Sequence, residues 1–129
     1  MEKRDLARIL IVDDNKLIVE GLSMVVSSRG HVPLTAFSGE EALKVVASAM
    51  PDVVLLDLTM PGIDGFETLR RLRKMPQGQG LPVLIVTARD EFDLESQVAE
   101  AGGNGLLKKP VDVNLLAAQI TLHTSEAKA

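Results

Sequence analysis

The chain has 129 residues, no cysteine and a formal net charge of −4, as expected for one cytoplasmic domain with a buried core and no second domain. The lack of cysteine excludes disulfides, a cysteine-ligated zinc cluster and thiol catalysis, and the acidic balance argues against direct nucleic-acid binding, which needs a basic patch. No apolar run approaches the roughly 18 residues of a membrane span and the first residues are charged, so we expect no membrane attachment.

Five short apolar runs alternate with stretches of helical period. The runs are predicted strands at residues 9–12, 32–36, 53–56, 83–86 and 105–107. They are almost continuously apolar, which is typical of parallel strands covered on both faces. A predicted helix follows each run, so the sequence indicates an α/β fold, a doubly wound (βα)5 three-layer sandwich around a five-stranded parallel sheet. Its core covers about residues 8–122, and residues 1–7 and 124–129 are predicted tails.

The first two helices are placed by an apolar stripe and by a cap. The stripe of the first helix consists of Ile18, Leu22, Val25 and Val26. These residues recur at helical spacing, and Gly30 follows at the position where a helix often ends. Ser38 and Glu41 form a possible capping box for the second helix, which runs to about residue 49.

Capping residues also place the remaining three helices. Asp64 and Glu67 repeat the cap pattern before the third helix. The fourth helix is predicted over about residues 92–101 and ends at a glycine pair. The fifth begins with Asp112 as N-cap and runs to about residue 122.

The last helix carries apolar residues on two faces. Its predicted core residues are Val113, Leu116, Ala117 and Ile120. Leu115 and Leu122 fall on the opposite side and have no obvious internal partner. This face lacks charged residues, so we expect it to contact an output partner or a second copy of the chain as a homodimer. The alternative is that these are isolated exposed leucines without a role.

Polar residues follow the apolar runs at one end. Asp13 and Asp14, here called the acidic pair, follow the first run; Asp57 follows the third, Thr87 the fourth and Lys109 the fifth. Because the carboxyl ends of parallel strands meet at one edge of the sheet, we expect these groups to share a pocket. Taken singly, each could be an ordinary cap, turn or surface residue.

The chemistry of these groups points to phosphoryl transfer. Two adjacent carboxylates are unfavourable unless a cation lies beside them, and Mg²⁺ binds one or two carboxylates together with water and phosphate oxygens. Asp57 next to such an ion is a competent nucleophile toward phosphorus and would form an aspartyl phosphate. Lys109 would bring a positive charge to a phosphate oxygen, Thr87 would donate a hydroxyl, and the small Ala88 would leave room for the phosphoryl group.

At these residues the chain resembles the receiver domain of two-component response regulators, the CheY-like family, over about residues 8–122. The segments that carry the resemblance are Leu10–Asn15, Val53–Gly65, Val86–Ala88 and Lys108–Pro110. The resemblance implies a flavodoxin-like strand order 2-1-3-4-5 and a signalling switch in which a histidine kinase or histidine phosphotransfer protein phosphorylates Asp57. Such a domain catalyses only its own phosphorylation and dephosphorylation.

The resemblance also implies how the ion is held. Asp14 and Asp57 would be direct Mg²⁺ ligands, whereas Asp13 would act mainly through water. The backbone carbonyl of Thr59 would complete the ligands that the protein supplies.

The family pattern gives roles to further residues and shows one departure. Thr59, Ala88 and Arg89 would flank the phosphoryl group, and we hypothesise that Thr59 and Arg89 set the lifetime of the phosphorylated state. The Lys109–Pro110 bond is expected to be cis. The family usually carries Tyr or Phe where this chain has Leu106, so coupling from the pocket to the outer surface is expected to be weaker or to use another element.

The first helix leaves two apolar residues, Leu17 and Met24, off its main stripe. In the family this helix helps to dock the phosphodonor, so these residues are candidate contacts. The chain ends about where a receiver ends, and it is either a single-domain regulator or a piece of a longer protein.

Two other functions remain open. A Mg²⁺-dependent small-molecule phosphatase of the haloacid-dehalogenase type also uses a strand-end aspartate, but it resembles Asp-x-Asp, whereas Asp57 is followed two positions later by Thr59. A receiver fold could also bind partners without being phosphorylated. Against that, every chemical position is filled by a competent residue.

Overall fold

The computed structural model describes the backbone of residues 7–128 and the side chains of residues 7–124. Its strands are β1 (Arg8–Val12), β2 (Val32–Ala36), β3 (Val53–Leu56), β4 (Val83–Thr87) and β5 (Gly105–Lys108). Its helices are α1 (Lys16–Ser28), α2 (Gly39–Ala49), α3 (Gly65–Lys74), α4 (Leu94–Ala101) and α5 (Val113–Lys128). A single 3-10 turn, Pro76–Gly78, lies between α3 and β4 in the described chain.

The five strands form one parallel sheet in the order β2-β1-β3-β4-β5. The predicted fold class and strand order are therefore confirmed. The order reverses its direction between β1 and β3, and the crevice outside the carboxyl ends of such neighbouring strands is where open α/β sheets bind ligands. No helix among the described residues has the length and hydropathy that crossing a bilayer requires.

Both faces of the sheet are buried, which explains why the strands read as continuous apolar runs. Alternate strand residues enter opposite clusters: Leu10 packs with residues of α2, α3 and α4, whereas Ile9 packs with residues of α1 and α5. The same alternation holds for Val54 and Val53 of the neighbouring strand. The sheet is thus the middle layer of three, as predicted.

Side-chain caps fix the beginnings of most helices. The four capping residues are Asn15, Ser38, Asp64 and Asp112. Asp64 accepts the backbone N–H of Glu67 at 2.9 Å, and the Glu41 carboxylate accepts the N–H of Phe37 at 2.8 Å. The predicted caps of the second, third and fifth helices are confirmed, and each satisfies a backbone donor that the helix leaves free.

Two details of the helices differ from the prediction. Phe92 was expected in the fourth helix, but α4 begins at Leu94 and the side chain of Phe92 is fully exposed. The N–H of Leu94 bonds the carbonyl of Glu91 in a turn before the helix. Val113 was expected in the core but is 43% exposed, because it lies in the first turn of α5, where it faces a groove beside α1.

The predicted tails are also shorter than expected. Ala7 is completely buried and its N–H donates to His31 Nδ1 at 3.1 Å. Thr124 is buried, and its hydroxyl donates to the carbonyl of Ile120 at 2.9 Å, because α5 continues to Lys128 rather than ending near residue 122. The remaining predicted tail positions, 1–6 and 125–129, lie outside the residues whose side chains are described.

Arg73 joins the two loops that lead into the amino ends of β4 and β5. Its guanidinium donates to the carbonyls of Gly78 at 2.5 Å, Leu81 at 2.7 Å and Gly102 at 2.6 Å. It also donates to Asn104 Oδ1 at 3.0 Å, and that side chain accepts the N–H at the start of β4. Burial lowers the pKa of Arg73, although such a group stays charged at neutral pH.

Candidate functional site

The acidic pair and Asp57 meet at the carboxyl edge of the sheet. Val12 and Leu56 are partners in the β1–β3 register, and the Asp57 N–H donates to the Val12 carbonyl at 3.0 Å. The residues that follow these strands therefore start side by side. Carboxylate oxygens from Asp13, Asp14 and Asp57 lie within 4.8 Å of one another. The structure brings together the three carboxylates that the sequence predicted to converge.

The three carboxylates match the ligand preferences of a hard divalent cation. Asp13 and Asp57 are buried, whereas Asp14 is exposed, so one side of the group faces solvent. Mg²⁺ prefers oxygen ligands and usually keeps several waters, which a half-open carboxylate cluster permits. The donor set therefore fits Mg²⁺, and Asp13, Asp14 and Asp57 are the residues that would hold it.

Lys109 lies between two of these carboxylates. Its Nζ is 2.7 Å from Asp13 Oδ2 and 3.5 Å from Asp57 Oδ2. Burial lowers the pKa of Lys109, but the hydrogen bond with Asp13 and the charges of Asp57 and Asp13 outweigh it, so the pKa is raised. The backbone N–H of Lys109 donates to the Thr87 carbonyl at 2.9 Å. The Lys109–Pro110 bond is cis, as expected.

The surroundings of Asp57 raise the pKa of its carboxyl group. Burial raises its pKa and the charge of Asp13 adds to this effect, while the charge of Lys109 and the N–H of Thr59 oppose it; the net result is a raised pKa. Desolvation disfavours the charged form of a buried acid. Additional positive charge beside Asp57 would therefore favour the ionised form, which is the form that can act as a nucleophile.

The residues predicted to flank a phosphoryl group lie at the same edge of the sheet as Asp57. Thr87 ends β4 and is buried, whereas Thr59 and Ala88 are exposed. The Thr59 N–H donates to Asp57 Oδ1 at 3.4 Å. Solvent therefore reaches this edge beside Thr59 and Ala88, whereas Thr87 is enclosed. A metal contact through the Thr59 carbonyl stays a prediction.

Arg89 is held by two residues that the sequence did not single out. Its guanidinium contacts both carboxylate oxygens of Glu91, with Nη2 to Oε2 at 2.8 Å. Its central carbon also lies 5.8 Å from the centre of the Phe66 ring, a cation–π distance. Glu91 is near enough in sequence to have been considered, whereas the Phe66 contact depends on the fold.

Two further residues, Asn15 and Gly65, contact the site, although the sequence pattern gave neither of them a role. Asn15 caps α1 and its N–H donates to Asp13 Oδ1 at 2.9 Å; an Asn before an apolar helical stripe is a recognised cap signal. Gly65 lies against the backbone of Asp57, where an added Cβ would be 2.3 Å from the Asp57 carbonyl oxygen. No local sequence pattern indicates that contact.

An apolar groove borders the site. It has a volume of about 310 Å³, and its lining residues include Leu17, Ile18, Val25, Val113 and Lys109. Leu17 and Met24 are largely exposed on α1. On α5, Leu115 and Leu122 are each 49% exposed, so their predicted outward position is confirmed.

The aromatic residue that the family pattern would place on β5 is replaced here by a partly buried leucine. Leu106 packs against the core cluster on the side of α2, α3 and α4. It also lines a cavity of about 280 Å³ beside Phe92 and Leu94.

A family model described as "Response regulator receiver domain" matches residues 9–121. The chain is 38% identical over 113 residues to the transcriptional regulatory protein AfsQ1 of Streptomyces coelicolor, covering 87% of this chain and 48% of AfsQ1. It is 38% identical over 114 residues to the response regulator PleD of Caulobacter vibrioides, covering 88% of this chain and 25% of PleD. The chain therefore spans half or less of the length of these relatives.

Solved structures show the same architecture. The chemotaxis protein CheY4 of Vibrio cholerae matches with a TM-score of 0.84 and 30% identity, over 89% of this chain and 96% of CheY4. The receiver domain of the Francisella response regulator 1452 matches with a TM-score of 0.87 and 28% identity, over 94% of this chain and 98% of that domain.

Proposed function

Because this chain belongs to the response regulator receiver family, we propose that Asp57 accepts a phosphoryl group with Mg²⁺ bound beside it. The family membership makes the chain a receiver domain of phosphorylation-operated two-component signalling. The observation that supports the assignment of the site is that three carboxylate oxygens lie within 4.8 Å of one another, with Lys109 Nζ 3.5 Å from Asp57 Oδ2.

In the proposed reaction an Asp57 oxygen bonds to the phosphorus of a phosphohistidine. The bond between phosphorus and the imidazole nitrogen breaks, and its electron pair stays on the nitrogen. Bound Mg²⁺ would supply positive charge to the phosphoryl oxygens and to the carboxylates. Lys109 would add a second positive charge from its position beside Asp13 and Asp57. The Thr87 hydroxyl would donate to a phosphoryl oxygen.

Dephosphorylation returns the domain to its first state. A water oxygen bonds to phosphorus, the bond from phosphorus to the Asp57 oxygen breaks with its electron pair on the carboxylate, and the water protons pass to the released phosphate and to solvent. The open side at Thr59 and Ala88 gives water a route to the phosphoryl group. We propose that the chain catalyses only these two reactions on itself.

The phosphodonor would dock at the apolar groove beside Lys109. Receivers of this family interact with histidine kinases or phosphotransfer proteins, and the groove runs along the exposed side chain of Leu17 to the loop that carries Lys109. A partner covering Leu17 would therefore reach the site edge. The uncharged face of α5 around Leu115 and Leu122 is the proposed contact for an output partner or a second copy.

Two predicted alternatives are less well supported. A small-molecule phosphatase would need a way to enclose its substrate, whereas Thr59 and Ala88 leave the pocket open in the described structure. A receiver that is not phosphorylated would not need Lys109 between two carboxylates. Direct nucleic-acid binding by these residues is not proposed, and a cytoplasmic location stays a prediction.

The test is phosphorylation of the purified chain by acetyl phosphate with and without Mg²⁺, read by intact mass. We expect the mass of one phosphoryl group to be gained only with Mg²⁺ and to be lost in Asp57→Asn. Asp52→Asn is the matched control, because Asp52 lies before the same strand at the opposite edge and bonds the N–H of Arg8. Labelling of Asp57→Asn, or multiple turnover on phosphate esters, would contradict the proposal.

A further inference from the structure

Arg89 is anchored in a position beside the phosphoryl pocket. Its backbone N–H donates to Thr87 Oγ1 at 3.2 Å, while its guanidinium pairs with both oxygens of Glu91 and lies over Phe66. The pair is accessible to solvent, with the Arg89 side chain 37% and the Glu91 side chain 42% exposed. The backbone of Arg89 thus lies next to Thr87 at the site, whereas its guanidinium is held by the exposed Glu91 carboxylate.

The carboxylates near the site contribute to the pKa of Arg89. The hydrogen bond with Glu91 is the main cause that raises the pKa of Arg89, and the charges of Asp64 and Asp57 raise it further. Asp57 is therefore within electrostatic reach of Arg89. A phosphoryl group on a side chain carries about −1.5 to −2 charge at neutral pH and several strong acceptor oxygens, so a phosphoryl group on Asp57 would attract Arg89 more strongly than the free carboxylate does.

We propose that Glu91 is a positioning residue that competes with the phosphoryl group for Arg89. In the unphosphorylated domain Glu91 holds Arg89 outside the pocket; after phosphorylation Arg89 exchanges the Glu91 carboxylate for phosphoryl oxygens. The inference rests on the proposed phosphorylation of Asp57 and adds a residue, Glu91, that sets how strongly the pocket retains the phosphoryl group.

The Glu91 carboxylate and a phosphoryl group on Asp57 can bind Arg89 in a similar way, so the competition between them is balanced. A guanidinium fits carboxylate and phosphate oxygens with the same two-pronged geometry. An exposed ion pair usually changes an equilibrium by no more than about fivefold, so the ion pair of Glu91 with Arg89 is weak. The Thr87 hydroxyl that accepts the Arg89 N–H is also the proposed donor to the phosphoryl group, so the two residues would rearrange together.

The experiment uses beryllofluoride, a stable mimic of a phosphoryl group on a carboxylate, titrated with Mg²⁺ into ¹⁵N-labelled protein and followed by NMR. We expect Glu91→Gln to bind beryllofluoride about two- to fivefold more tightly than wild type, because Arg89 no longer gives up an ion pair. In a protein that already carries Arg89→Gln, adding Glu91→Gln should change the affinity for beryllofluoride by less than about half of the factor seen when Arg89 is present. Glu95→Gln is the matched control, because it removes an exposed acidic residue in α4, and it should leave the affinity for beryllofluoride unchanged.

The Nε–H resonance of Arg89 supplies a second readout that does not depend on affinity. In the wild-type protein this resonance should move when beryllofluoride binds. In Glu91→Gln its chemical shift should differ from the wild-type value even before beryllofluoride is added. A gain in affinity that persists in the Arg89→Gln background would overturn the inference, since removal of a negative charge would then act without Arg89. An unmoved Arg89 resonance would overturn it as well. Failure of Asp57 to accept acetyl phosphate would overturn the proposed function and this inference together.

Discussion

Substituting Gly65 by Ala should destabilise the domain and disturb Asp57 at the same time. Gly65 is the first residue of α3, and its N–H donates to the Leu58 carbonyl at 2.9 Å. A Cβ added there would lie 2.3 Å from the Asp57 carbonyl oxygen and 2.6 Å from Leu58 Cα. Ordinary contacts of this kind are near 3.4 Å or longer, so the helix or the end of β3 must move by about 1 Å.

The size of the effect follows from the rigidity of the neighbours. Both clashing atoms belong to the backbone of a buried segment, and overpacking of such sites typically costs about 1–3 kcal/mol. Alanine at the first helical position recovers a few tenths of a kcal/mol of helix propensity. We therefore expect Gly65→Ala to lower the free energy of unfolding by about 2 kcal/mol.

Gly21→Ala provides the matched control, because the same side-chain change there should act in the opposite direction. Gly21 lies inside α1, and an added Cβ would meet no described heavy atom within 4 Å outside its own helix. Alanine is favoured over glycine inside a helix by about 1 kcal/mol, so this variant should be more stable than wild type.

The assay is urea unfolding followed by far-UV circular dichroism, since the chain has no Trp or Tyr for fluorescence. With an m-value of about 1–3 kcal/mol/M, the midpoints of the two variants should lie roughly 1–3 M apart. Labelling by acetyl phosphate should slow in Gly65→Ala and stay normal in Gly21→Ala, because only Gly65 contacts the Asp57 backbone. Equal midpoints for Gly65→Ala and wild type would refute the reasoning.

Three further predictions concern charge, hydrogen bonding and backbone conformation. Burial raises the pKa of Asp57, so the folded state binds that proton more tightly than the unfolded state, and this contribution to stability is lost as pH rises through the folded pKa. Asp57→Asn should accordingly unfold at higher urea than wild type at pH 7, and the difference should shrink toward pH 4; a constant difference would contradict it. Arg73→Met should lower the free energy of unfolding by about 2–4 kcal/mol because several buried carbonyls lose a charged donor, and Arg73→Lys should not restore it, since an ammonium cannot reproduce the fork of contacts; full rescue by lysine in the urea assay would count against this account. Met50 has a φ of 48° and is 60% exposed, so Met50→Gly should raise the melting temperature, as expected from about 1 kcal/mol of relieved backbone strain.

The fold and the membership of the site were predictable because both depend on regular geometry. Strands buried on two faces produce continuous apolar runs, and parallel strands place their carboxyl ends at one edge. The placement of Asp13, Asp57 and Lys109 directly after the first, third and fifth runs was therefore sufficient to predict that they meet. The capping residues Asp64 and Asp112 were predictable for a similar reason, since a cap is a local hydrogen bond.

The features that the sequence did not reveal depend on contacts between distant segments. Phe92 lies just before α4, and the turn closed by the Leu94 N–H and the Glu91 carbonyl delays the helix until Leu94. Arg73 reaches a carbonyl 29 residues away, and no periodic pattern indicates such a partner. Val113 has the spacing of a core residue, but its side chain faces an open groove beside α1 and is therefore 43% exposed.

The arrangement around Arg73 gives the two edges of the sheet different mechanical properties. One guanidinium clamps the chain segments that enter β4 and β5 through Gly78, Leu81 and Gly102. At the other edge the segment after β4 carries the exposed Arg89–Glu91 pair. The chain is therefore held by a fork of hydrogen bonds from Arg73 at one edge and by an exposed ion pair at the other. Amide hydrogen exchange should be slow in the segments that Arg73 bonds and faster in the exposed segment that leads from Arg89 to Phe92.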